Sequence, residues 1–111
     1  MPSTNEIITR DEIIEFLESS STEEFDPEDG TRCIIAQALL SKFADVVLVS
    51  VGYDYVSMQF VHSNEDYVTY TNELWMHDWQ DALRRERNFN GRVSGNHALD
   101  VLHDYPDRVA V

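Results

Sequence analysis

The chain has 111 residues, 42% of them hydrophobic, and a formal net charge of −13 from 21 acidic and eight basic side chains. That length suits a single domain with one modest core. So acidic a surface repels phosphate backbones and anionic bilayers, and no apolar run reaches the ~18 residues of a membrane-spanning helix, so direct nucleic-acid binding and membrane association are both excluded as expectations. One cysteine, Cys33, cannot close an internal disulfide, and the first residues lack the basic-then-apolar pattern of a signal peptide. The expected location is the cytoplasm, the host cell's if the protein is viral. The charge is uneven: residues 1–30 hold ten acids against one base, Arg10, and the remainder holds eleven acids against seven bases.

Residues 1–8 are expected to fray. Thr9-Arg-Asp-Glu12 then fits a capping box, with Ile8 and Ile13 placed for a hydrophobic staple. A helix over 10–19 follows, turning Ile13, Ile14, Phe16 and Leu17 to one side and Asp11, Glu15 and Glu18 to the other. The stretch Glu18 to Gly30, ESSSTEEFDPEDG, carries six carboxylates and no base. It fails as a calcium loop: with Gly30 at the sixth position, Phe25, Pro27 and Ala36 occupy ligand positions. Residues 20–30 therefore read as an acidic connector.

Thr31 is expected to cap a second helix over 32–44, whose apolar face is Ile35, Ala36, Leu39, Leu40 and Phe43. The β-branched run Val46 to Val51 predicts a strand. Gly52 to Asp54 is a turn. Tyr55 to Val61 alternates, with Val56, Met58 and Phe60 on one face, and after a turn at 63–66 the alternation resumes from Tyr67 to Thr71. Short turns imply a three-stranded antiparallel meander. Trp75, Met76, Trp79, Ala82 and Leu83 stripe a helix over 72–88, with Arg84, Arg85 and Arg87 in its last turns. After a loop from Gly91 to Gly95, Asn96 is expected to cap a short helix over 97–105, and 106–111 to fray. The fold class is α+β, one acidic domain over 1–111 in the order ααβββα(α), with helices on one sheet face.

The pattern supplies little chemistry. Cys33 at a helix start favours a lowered thiol pKa, but no histidine stands near it in sequence to act as base, and a free cysteine is most simply a small buried residue. His97, Asp100 and Asp104 share a helix face at i, i+3, i+7, yet HEXXH and paired-cysteine spacings are absent. Trp75 and Trp79 are core residues or an interface anchor. No catalytic residue, metal ligand or cofactor site is expected. The Arg84, Arg85, Arg87 patch suits pairing with the acidic segment of this chain or of a second copy, hence a possible homodimer.

Cys33-Ile-Ile-Ala-Gln-Ala-Leu39, followed by strands and a tryptophan-bearing helix, resembles small proteins of actinobacteria and their phages over about residues 31–83. The resemblance implies no activity; it implies a viral or mobile-element accessory protein. The expected function is a non-enzymatic interaction protein that mimics nucleic acid and binds a basic, nucleic-acid-binding host protein. Its binding residues are Asp11, Glu15, Glu18, Glu23, Glu24, Asp26, Glu28 and Asp29. Two alternatives stand beside it: a small dimeric assembly protein whose acidity reflects a salt-adapted or GC-rich host, and an enzyme built on Cys33 or a cryptic metal site.

Overall fold

A computed structural model describes all residues except 1, 53, 62–67, 87–90 and 106–111. Helix α1 spans Arg10–Ser19. Its capping box forms as the sequence requires: the Glu12 N–H donates to the Thr9 hydroxyl, and the Thr9 N–H donates to the Glu12 carboxylate at 3.0 Å. Such a cap contributes about 1 kcal/mol. The segment before it is anchored. A 3-10 turn over Thr4–Glu6 is itself boxed by Ser3 and Glu6. Thr4 is fully buried and donates to Asn72, and the Thr71 N–H donates to the Pro2 carbonyl.

Strand β1 is only Glu24–Phe25. Helix α2 spans Ile34–Lys42, and Cys33, not Thr31, occupies its N-cap position, without a side-chain capping bond. Asp29 is the reason. Its carboxylate accepts both the N–H and the hydroxyl of Thr31, and its carbonyl accepts the Cys33 N–H, so a tight turn precedes the helix. The helix stops where Phe43 turns extended and leads into β2, Val46–Val51.

The meander β2, β3 (Tyr55–Phe60) and β4 (Val68–Thr71) is antiparallel in that order. A bulge at Val47 breaks the simple alternation of β2: Val46 pairs with Phe60 but Leu48 with Gln59. Val46, Val49 and Val51 are thereby all buried, while Val47 and Leu48 are exposed. Val49, Val51, Val56 and Met58 join the core with the helices, and Ser50, Tyr55, Ser57 and Gln59 lie on the open face.

Helix α3 spans Leu74–Arg85, shorter at its start than the predicted helix over 72–88. Asn72 is withdrawn from it because its N–H donates to Asp54 and its side-chain amide to Gly52. Strand β5, Val93–Ser94, pairs with β1 in a second, two-stranded sheet that the sequence reading takes as loop. Helix α4 spans Gly95–Leu102 and is capped by the Ser94 hydroxyl rather than by Asn96. The fold is α+β, with four α-helices among the described residues and the predicted three-stranded meander. The turn expected at 63–66 and the frayed end expected at 106–111 lie outside the described residues. Among the described residues no helix is long and apolar enough to cross a membrane.

Candidate functional site

The acidic connector is built into the domain at four places. At α4, the first free N–H groups of the helix donate to connector carbonyls: Gly95 to Glu23 and Asn96 to Ser21, each at 2.9 Å. This satisfies helix donors that otherwise need a cap or water. At β5, Glu24 and Phe25 pair with Ser94 and Val93. At α3, the Arg84 Nε–H donates to the Pro27 carbonyl at 3.3 Å. At β2, the Val51 N–H donates to the Gly30 carbonyl at 2.8 Å, and a Cβ on Gly30 would lie 2.4 Å from the Val51 oxygen. That closeness explains glycine at this position. Between these ties, the Glu28 N–H donates to the Asp26 carboxylate in a local turn.

The connector is also fixed to α1. Phe25 is 4% exposed and its ring meets Phe16 of α1 with centroids 5.9 Å apart. The carboxylates of Asp11, Glu15 and Glu18 project from the exposed side of α1, and those of Glu23, Glu24 and Glu28 are exposed on the connector. Asp26 and Asp29 are half-buried. All eight acidic candidates thus lie on α1 and the connector that follows it directly, with Phe16 and Phe25 in contact between the two.

Basic groups border the connector half. Arg32 stands 3.8 Å from Asp29, and Arg92 shares with Glu23, Glu24 and Asp26 an open notch of about 440 Å³. The Thr31 hydroxyl and N–H hold the Asp29 carboxyl below the ordinary aspartate range. On α1, Glu12 is the acid drawn inward. Lys42 Nζ approaches it to 2.7 Å while also donating to the Ile7 carbonyl, and with the Thr9 N–H holds the Glu12 carboxyl below the ordinary glutamate range.

The other candidates are placed as follows. Arg84 turns to Pro27 and Arg85 to Asp81 at 2.6 Å, both within the chain; Arg87 lies outside the described residues. Cys33 is 7% exposed, a small buried residue, and burial pushes its thiol pKa up rather than down as a helix start alone would favour. The N–H groups of Ala36 and Ile35 oppose that rise without reaching capping geometry, and burial prevails. Among the described residues no histidine lines the cavity beside it. His97 faces Glu86 at 3.8 Å, and among the described residues no three metal-ligating side chains cluster. Trp75 and Trp79 are buried side by side, and the Trp79 indole N–H donates to the Ala98 carbonyl, so neither offers a stacking platform.

Sequence reasoning missed Arg10 as a structural residue. Its guanidinium donates to the carbonyls of Leu102 and Tyr105, closing the end of α4. The base of the acidic first thirty residues is consumed inside the fold. Compared with known proteins, the chain matches no family model, no curated protein and no solved structure.

Proposed function

We propose that the protein is a non-enzymatic interaction protein, an accessory of a phage or mobile element, that binds a basic nucleic-acid-binding protein in the host cytoplasm through residues 11–29. The observation that supports this reading is the anchoring of the connector to α4, β5, α3 and β2. A carboxylate row that is already ordered loses less conformational entropy on binding than a disordered one. Asp11, Glu15 and Glu18 follow one another at helical spacings that set neighbours ~5–6 Å apart. That is comparable to the spacing of phosphates along a strand, and a groove shaped for phosphates accepts such a row, with fast association at low salt.

Affinity capture from host lysate tests it. The wild-type protein should retain a nucleic-acid-binding protein that moderate salt releases. Replacing Glu15, Glu18, Glu23 and Glu24 with lysine should abolish capture while circular dichroism shows an unchanged fold. Retention by that variant would reject the reading.

A further inference from the structure

The start of α1 meets the end of α2, where Lys42 Nζ reaches the Glu12 carboxylate at 2.7 Å. Alongside that tie the two helices leave an open groove of about 290 Å³. It stays open because the other α2 residues that line it, Ala38 and Ser41, are short. Across from them on α1 stand Glu15 and Phe16, which share a helix face with Glu12 at i+3 and i+4. Ala38 is buried and Phe16 half-buried, so the floor is apolar, while Glu15 and Ser41 are exposed. Lys42 neutralises Glu12. No ion pair among the described residues includes Glu15. One turn along from a paired carboxylate, then, a second carboxylate lies across the groove from alanine and serine, where α2 offers no base.

We propose that this groove receives one arginine side chain of the basic partner, an inference that rests on the interaction surface proposed above. The arginine methylenes cover Ala38 and the Phe16 ring, and the guanidinium pairs with Glu15 and donates to the Ser41 hydroxyl. Arginine suits the groove better than lysine. Its planar, weakly hydrated head can lie against an aromatic ring and bond a carboxylate, with donors left over for a hydroxyl. An anion is a poor occupant, because Lys42 is already engaged by Glu12 and by the Ile7 carbonyl. A second copy of this chain is opposed by its own charge of −13.

Hexa-arginine and hexa-lysine peptides carry equal charge and so test the groove apart from general attraction. Titrated into the full chain at about 0.05 M salt, hexa-arginine is expected to bind about two- to fivefold more tightly. Nuclear Overhauser contacts should run from its δ-methylenes to the Ala38 methyl and the Phe16 ring. Ser41→Phe fills the groove without changing its charge; it should weaken hexa-arginine by that factor and leave hexa-lysine unchanged. Equal affinities in the wild type, or hexa-arginine binding that Ser41→Phe leaves intact, overturn the proposal. Should Ser41→Phe fail to fold, the wild-type contacts decide, and their absence overturns it. Equal peptide affinities together with salt-sensitive capture from lysate would remove the groove and leave the broader reading standing, whereas failure of both peptides to bind would remove both.

Discussion

At Gly95 the chain has room for a hydrogen and nothing larger. A Cβ there would lie 2.3 Å from the Ser20 carbonyl oxygen, and the Glu23 N–H already holds that oxygen in place. Helix propensity favours alanine over glycine by ~1 kcal/mol, but a backbone clash of this kind costs roughly 1–3 kcal/mol. Gly95→Ala should therefore lower the free energy of unfolding, seen as an earlier urea midpoint; a later midpoint would mean that the connector yields. Glu12 gives a second prediction at this scale. Its carboxyl is held below the ordinary value of 4.5 by Lys42 first and Thr9 next. A depressed folded pKa gives stability that is present above the unfolded value and lost as pH falls through the folded one. The pair is more than one-third exposed on both sides, so its share is small, about 0.5 kcal/mol. Glu12→Gln should be less stable than wild type near neutral pH, and the gap should narrow as pH falls below the ordinary glutamate value of 4.5 and through the lowered folded one. A gap constant with pH would show that the charge contributes nothing.

Elements whose signals are local were legible in the sequence. Helix α1 declares its start through Thr9 and Glu12, and the meander declares itself through alternation in 55–60 and 68–71. The pairing of β1 with β5 was not legible. Two-residue strands carry no periodicity, and their partners are far apart in sequence: Glu24 meets Ser94 and Phe25 meets Val93. The one available signal was a lone apolar residue in each polar segment, Phe25 among acids and Val93 between Arg92 and Ser94. The cap of α4 was misread for a related reason. Asn96 and Ser94 are both good caps by type, and the choice falls to Ser94 because the backbone of 95 and 96 is held by Glu23 and Ser21. Ser94→Ala should cost about 1 kcal/mol in urea unfolding, whereas Asn96→Ala, at an exposed position within the helix, should be close to neutral. The reverse order would place the helix start at Asn96 after all. The candidate surface was legible as a list of carboxylates, but its rigidity depends on these long-range ties and could not be read from composition.

Over the whole molecule, self-repulsion of the −13 charge opposes folding while the same charge favours a basic partner, and salt separates the two. The Cα radius of gyration is 13.5 Å. At 0.01 M ionic strength the Debye length is about 30 Å, so every carboxylate feels the others; at 0.15 M it is about 8 Å and repulsion survives only between neighbours. Raising salt over this range should raise the thermal midpoint of the free protein. The proposed complex is held by charges of opposite sign, so the same change should weaken capture of the partner. Opposite responses in one titration, with stability rising and binding falling, are expected if residues 11–29 act through their charge. Binding that is unchanged or stronger at 0.15 M would assign the contact to apolar surface instead. Exposed Val47, Leu48, Tyr55 and Leu74 would then be the first positions to replace, and light scattering over the same titration would show whether the captured partner is a second copy of this chain.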